Sequence, residues 1–421
     1  MKQQTEFGEI PLEWEVKQVI EIKDEAKRAI AMGPFGSNIK AENFVESGVP
    51  VIRGTNMNFA KFVDGEFVFL TEKKADELLG SNCHPDDLVF THRGTIGQVA
   101  LIPKNKYPRY VISQSGMKLT VNQEVMDSEF LFYFFKSEYG QYQILKYEAQ
   151  VGVPSISNPL TSLKQMCVPV PPLPEQKAIA SVLSSLDDKI DLLHRQNKTL
   201  EAMAETLFRQ WFIEEAKEDW GEVKLGDLCD IITKGTTPKQ FTESGVNFIK
   251  AESLTDTGSF IRSKFASVSN EIHEGVLKRS ILKIDDVLFS IAGTIGRVAK
   301  VTEDILPANT NQALAILRPN RGVNSDLIYC ILKSVHFQEL ADGKIVHAVQ
   351  PNLSLGEISN TCIRLPSESV LKAFTNQVST YFDKKHANTK QIQTLENLRD
   401  TLLPKLMSGE VRVQYQTEEV A

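Results

Sequence analysis

Cysteine is scarce in this chain: five residues in 421, Cys83, Cys167, Cys229, Cys330 and Cys362, scattered with no C-x-x-C pair. An odd number of isolated thiols argues against a disulfide framework and against a zinc cluster, so the expectation is reduced cysteines buried as small apolar residues. Long hydrophobic runs are missing too. No stretch approaches the roughly 18 apolar residues of a membrane helix, and the opening MKQQTEFGEI lacks the apolar core of a secretory signal, which reads as a soluble, cytoplasmic protein with no membrane partner.

Catalytic signatures are equally absent. There is no G-x-x-x-x-G-K-[ST] phosphate loop and no nucleotide-binding G-x-G-x-x-G. Asn158-Pro159-Leu160 falls short of the Asn-Pro-Pro-aromatic run of amino-methyltransferases, and Asp86, Asp87, Glu222 and Lys224 have an arbitrary spacing for a nuclease. His84, His92, His273, His336 and His347 form no constellation in the sequence. No catalytic residue, metal ligand or bound cofactor is expected in this chain.

Formal charge is −7, which speaks against a uniformly basic nucleic-acid binder. Its distribution says more: residues 15–170 carry 17 basic against 18 acidic side chains, 221–365 carry 16 against 16, and 171–220 carry 6 against 10. Two near-neutral blocks flank an acidic segment, so contact with a polyanion must rest on local patches.

What the chain has is a repeat. DLVFTHRGTIGQVA (87–100) returns as DVLFSIAGTIGRVA (286–299), an offset of 199, and Gly48–Arg53 matches Gly245–Lys250 at 197. Val153–Ser157 matches Gln350–Ser354 at 197, and Leu200-Glu201 matches Leu395-Glu396 at 195. Preserved order with a slowly drifting offset is the mark of a duplicated unit with small loop changes. Each copy opens with short β-rich runs (Val49–Ile52, Phe67–Leu70, Leu88–Thr91, Gln98–Ile102, Gly116–Val121) broken by turn residues, and a helix is predicted over Ser128–Tyr147, with Asp326–Asp342 its counterpart. The glycines of Gly-Thr-Ile-Gly, three apart between two β runs, suit a tight turn or a loop that approaches a phosphate.

The period then changes. Ile179, Leu183, Leu186, Ile190, Leu193, Asn197, Leu200, Ala204, Leu207 and Trp211 alternate steps of four and three, and Phe374, Val378, Tyr381, Lys385, Asn388, Ile392, Leu395, Arg399, Leu402 and Leu406 follow 195 residues later. These are heptad seams, and two of like period predict helices packed on each other, with Asn197 and Asn388 fixing the register. The fold expected is α+β: two similar globules separated by two long helices that form an antiparallel coiled coil.

Basic and amide side chains in loops are the candidates for contact with DNA: Arg53, Lys61, Arg93, Lys104, Lys106, Arg109 and Lys118 in the first copy, and Lys234, Lys239, Lys250, Arg262, Lys264, Arg297, Gln350 and Asn352 in the second. Arg and Lys reach phosphates and guanine edges, and Asn or Gln pairs with adenine.

Several stretches carry a family resemblance. Val168-Pro169-Val170-Pro171-Pro172-Leu173-Pro174-Glu175-Gln176 runs into the first heptad helix, which ends near Phe208-Arg209-Gln210-Trp211-Phe212. Two D-x-L-F-type strands lead into Gly-Thr-Ile-Gly, and the chain opens Gly8-Glu9-Ile10-Pro11-Leu12-Glu13-Trp14-Glu15-Val16. Together they resemble the specificity subunit of type I restriction-modification enzymes. The resemblance implies target-recognition domains at 1–170 and 216–366, spacer helices at 171–215 and 367–408, and a polar tail at 409–421. It further implies a non-catalytic chain that reads a split target in double-stranded DNA and docks two modification (methyltransferase) subunits, with restriction or motor subunits as further partners. S-adenosylmethionine, ATP and Mg then belong to those partners. The second helix entry, Leu365-Pro366-Ser367-Glu368-Ser369, departs from the first.

Overall fold

In each copy the β-rich runs become strands because their apolar residues are covered on both faces; Val49–Ile52, Leu88–Thr91 and Gly116–Leu119 are buried at every position. The structure, a computed structural model, describes residues 2–58, 61–149, 152–345 and 352–414; His347 and Gln350 lie outside the described residues. The first lobe contains β1 (Ile30–Met32), β2 (Val49–Ile52), β3 (Val68–Leu70), β4 (Leu88–Thr91), β5 (Val99–Leu101), β6 (Tyr110–Ile112) and β7 (Gly116–Leu119). The second contains β8 (Cys229–Lys234), β9 (Val246–Ile249), β10 (Ala266–Val268), β11 (Val287–Ser290), β12 (Val298–Lys300), β13 (Ala308–Thr310) and β14 (Leu314–Pro319).

The two lobes share one topology. A four-stranded antiparallel sheet runs β5-β4-β7-β1 in the first and β12-β11-β14-β8 in the second. A second sheet holds β3-β2-β6 and β10-β9-β13, with β2 parallel to β6 and β9 parallel to β13; the first lobe adds edge strands Phe44–Val45 and Asn82–Cys83. Each lobe is closed by pairing an early strand with the strand that leads into a long helix: Glu15–Gln18 with Cys167–Val170, and Gly221–Lys224 with Cys362–Leu365.

The helix predicted over Ser128–Tyr147 is two helices, α1 (Ser128–Lys136) and α2 (Glu138–Leu145). Ser137 is extended and its Oγ accepts from the Gly140 amide at 3.3 Å, capping the new helix. The second copy breaks alike at Ser334, between α4 (Ser325–Lys333) and α5 (Val335–Ile345), once α3 (Leu173–Arg209) has intervened. The last long helix is α6 (Glu368–Met407). All five cysteines are free thiols; Cys83 and Cys330 are buried as expected, but Cys167 and Cys229 are half-buried and Cys362 is exposed. Burial pushes the Cys167 thiol up to about 11 and Cys229 up to about 12, so both stay protonated.

The chain divides into two units, Met1–Leu192 with Ile392–Ala421, and Leu193–Gln391. Both long helices therefore contribute to each unit. In the first, Ile179, Leu183, Leu406 and Met407 join the lobe's core; in the second, Ala204, Phe208, Phe374, Val378 and Phe382 do so. The seam residues thus pack on a lobe as well as on the facing helix, and Leu186, Leu200, Leu207, Tyr381, Leu395 and Leu402 are only half-buried. The pairing is antiparallel. In the second unit Asn388 donates to Asn197 at 3.0 Å and Lys385 pairs with Glu201 at 3.2 Å; in the first Arg399 donates to Asp187 at 2.9 Å.

Polar contacts seat each lobe on the helices. Ser184 donates to Glu129 of α1, and Ser379, 195 residues on, donates to Asp326 of α4 at 2.6 Å. Tyr133 donates to Asp187 at 2.8 Å, and Tyr329 donates to Glu201 at 2.6 Å. At the start of α3, the buried Glu175 accepts from Trp14 at 3.1 Å and from Arg412 at 2.6 and 2.9 Å, which ties the residues after α6 to the first lobe. Counting on by 195, Val370 stands where Glu175 does, so the second helix entry lacks this latch.

Glu201→Leu strands the buried Lys385 ammonium and the Tyr329 hydroxyl, and is expected to cost about 3–5 kcal/mol. Lys385→Met leaves Glu201 its bond from Tyr329 and its ion pair with Lys333 at 3.5 Å, so it costs less. The double variant recovers most of the loss. Guanidinium denaturation of the three chains checks the order; equal losses for the two single variants would refute it.

Candidate nucleic-acid interface

The strand directions bring several loops to one end of each lobe. In the first, β1, β2, β4 and β6 all end there, and β5 and β7 begin there. The loops are laced by main-chain bonds: Ser113 N to Ile52 O at 2.9 Å, Gly33 N to Gly116 O at 2.9 Å, and His92 N to Ser115 O at 2.9 Å. The second lobe repeats the lacing with Asn311 N to Ile249 O at 3.3 Å, Thr236 N to Thr310 O at 3.2 Å, and Ile291 N to Ala313 O at 2.8 Å. Glycine is required where the first loop passes the turn, since a Cβ at Gly33 would lie 1.8 Å from Ser113 O and one at Gly235 1.8 Å from Thr310 O. The Gly-Thr-Ile-Gly hairpin is a tight turn with Gly97 at φ 86° and Gly296 at φ 95°, held from beneath by Gln141 Nε2 donating to Gly97 O at 3.0 Å and Gln338 Nε2 to Gly296 O at 3.1 Å.

This shared frame presents different side chains. On the first lobe it carries exposed Arg53, Arg93 and Gln114, with Phe35, 73% exposed, beside them in the loop after β1. Gln98 donates to Gly54 O at 3.2 Å and to Asn58 at 2.5 Å. On the second it carries half-buried Lys234 and Lys250, and exposed Lys239, Thr237, Gln312 and Asn352, with Arg297 donating to Leu254 O and to Asp256, each at 2.8 Å. Arg93 bridges to Ser155 and Ala292 to Asn352, the same placement in both lobes. His92 is buried and its ring meets Gln114 O at 3.0 Å; burial holds its imidazole below the ordinary range, against the pull of that bond.

Such an end can hold a polyanion without chemistry of its own: it offers cations, amides and a fixed backbone. Among the described residues no group of three or more His, Cys, Asp or Glu is arranged to hold a metal ion. No described helix is long and apolar enough to cross a membrane.

Comparison with known proteins decides what the duplicated frame belongs to. The family described as type I restriction modification DNA specificity domain matches twice, at residues 13–202 and 217–397. The chain belongs to that family. It is a specificity subunit, a non-catalytic DNA-recognition component with two recognition domains. It is 26% identical, over 98% of its length and 96% of the relative's, to the type I restriction enzyme MjaIX specificity subunit of Methanocaldococcus jannaschii. It is 24% identical to the HindI specificity subunit of Haemophilus influenzae, over 74% of this chain and 83% of that one. Among solved structures, the S subunit of a type I restriction-modification system from M. genitalium shares the fold, with a TM-score of 0.57, 18% identity and 97% of each chain covered.

Not every cation expected at the DNA lies at this end of the specificity subunit. Lys61 is buried, donating to Ser184 at 3.0 Å and pairing with Glu129 at 3.4 Å, and so seats the lobe on α3. Lys118 is buried and donates to Asn82 O at 2.6 Å beside Asp87. Both are corrected from surface contacts to packing charges, because a buried ammonium is held by its partners. Lys104, Lys106 and Arg109 lie at the opposite end of β6, paired with Asp86, Asp64 and Glu72 with Asp76. Arg262 is turned to Asp304, while Lys264 is exposed. Gln114 and Gln312, both exposed at this end and 198 residues apart in the repeat, are not among the candidates named from the sequence.

Lys61→Ala or Lys118→Ala is expected to lower the thermal midpoint, each removing the cation that pairs a carboxylate, Glu129 or Asp87, at about 1–3 kcal/mol. Arg53→Ala and Arg93→Ala should stay within about 0.5 kcal/mol of the parent. Because the folded His92 pKa is depressed, its contribution is complete above about pH 6.5 and is lost as pH falls from there through the folded value. His92→Asn should flatten that part of the stability profile; an unchanged acid limb would sink this assignment.

Proposed function

We propose that the chain reads a bipartite target in duplex DNA, one half-site to each lobe, and docks two modification (methyltransferase) subunits through its long helices. The observation that carries this reading is one backbone frame used twice with different side chains. A reader of two unlike half-sites needs a common geometry for the phosphates and separate sets of groups for the bases. Leu192 and Met203 on α3 and Leu398 on α6 keep large apolar side chains exposed, which favours protein docking along these helices. Methyl transfer, with S-adenosylmethionine, belongs to the modification subunits, and ATP- and Mg-dependent steps to restriction or motor subunits. The setting is the cytoplasm, where the cell's DNA is marked and foreign DNA met.

The test is retention of labelled target DNA by the chain assembled with its modification partner, against competitor DNA, over a series of salt concentrations. Log affinity should fall linearly with log salt, and Arg53→Ala or Arg93→Ala should each lower the slope by about one. Retention that ignores sequence would overturn the proposal.

A further inference from the structure

We propose that Gln114 and Gln312 are base-reading residues, one for each half-site, each contacting an adenine; this rests on the proposed bipartite reading. The two occupy the same place in the two lobes. Each sits in the turn that leaves the strand parallel to β2 or β9 and enters the central strand of the four-stranded sheet, β6 to β7 in one case and β13 to β14 in the other.

The turn is rigid where its side chain is free. Its backbone is held by the strand end before it, by the glycine loop beside it and by the hairpin turn, as the bonds of Ser113, Gly116 and Ser115 and of Asn311, Thr310 and Ala313 show. In the first lobe the His92 ring adds a bond to Gln114 O itself. Both glutamines are exposed. The Gln114 amide has no hydrogen-bond partner among the described residues, and Gln312 Oε1 accepts from Thr237 Oγ1, which leaves its Nε2 to donate. A fixed main chain with an amide that keeps its Nε2 donors and at least one oxygen lone pair free is what base reading requires, since little ordering remains to be done on binding.

The surroundings separate phosphate work from base work. Ser113 bonds to the end of β2, directly before Arg53, and Asn311 bonds to the end of β9, directly before Lys250. A cation that positions the backbone of the duplex thus lies next to an amide that can reach a base edge. A Gln amide offers one acceptor and two donors, which match adenine N6 and N7 in the major groove as a bidentate pair. Thr237, on the loop clamped by Gly235, orients the second glutamine; Phe35 is the nearest counterpart of that loop residue in the first lobe.

The experiment uses the full chain assembled with its modification subunits and a panel of duplexes in which each base pair of each half-site is replaced in turn, read by methyl transfer. Gln114→Ala is expected to lose about 5- to 150-fold discrimination at one A·T pair of one half-site, with the other half-site and the salt slope unchanged. Gln312→Ala should do the same in the other half-site only. Gln114→Glu, which keeps size and turns the side chain into an acceptor, should move the preference at that position toward cytosine. Unchanged discrimination in both alanine variants, or a uniform loss at every position with a shallower salt slope, overturns the base-reading role. Failure of the parent assembly to select any sequence defeats the bipartite reading instead.

Discussion

Two carboxylates on one helix, Asp187 and Glu201 of α3, hold lobes and helices together. Each is about 5% exposed, and an ionised group so buried costs several kcal/mol unless it is fully bonded and paired. Each finds a tyrosine hydroxyl from a lobe, Tyr133 or Tyr329, and a cation from α6, Arg399 or Lys385. Separating any of the three elements strands a charge. An apolar stripe alone tolerates sliding by a turn; these bonds do not, because distance and direction are both set. The Asn197–Asn388 pair applies the same constraint between the helices themselves.

With the lobes seated, the loop end of each is free to be specific. Its frame is made of main-chain bonds and two glycine approaches, none of which depends on which side chains point outward. Arg53 is therefore replaced by Lys250, Arg93 by Ala292, and Ser113 by Asn311, with no change in topology. Gln114 and Gln312 are the exception, an amide kept at the same turn in both lobes.

Much of this was legible in the residues. The repeat, the strands and the heptad seams rest on local apolar period, which tertiary contacts reinforce rather than override. The break at Ser137 was not, because serine is tolerable inside a helix and becomes a cap only when Gly140 passes within 2.1 Å, measured to its absent Cβ, of Phe134 O. Nor was the burial of Lys61, whose partner Ser184 lies 123 residues away on α3. The motif ending Glu175-Gln176 was visible as a family signature, but its physical role needed Trp14 and Arg412 in place: Glu175 latches the residues after α6 to the first lobe.

The same buried acids also say which helices belong together. Under the repeat, residue 399 corresponds to 204 and residue 385 to 190, since the helices are offset by 195. A second α3 in place of α6 would set Ala204 where Arg399 meets Asp187, and Ile190 where Lys385 meets Glu201. Asn197, which now meets Asn388, would face Leu193. Those three contacts would be lost while the carboxylates stayed buried, so the acids of α3 and the bases of α6 write the pairing as one between unlike helices. The two halves resemble each other in fold, and the charges on their helices keep them from being interchangeable.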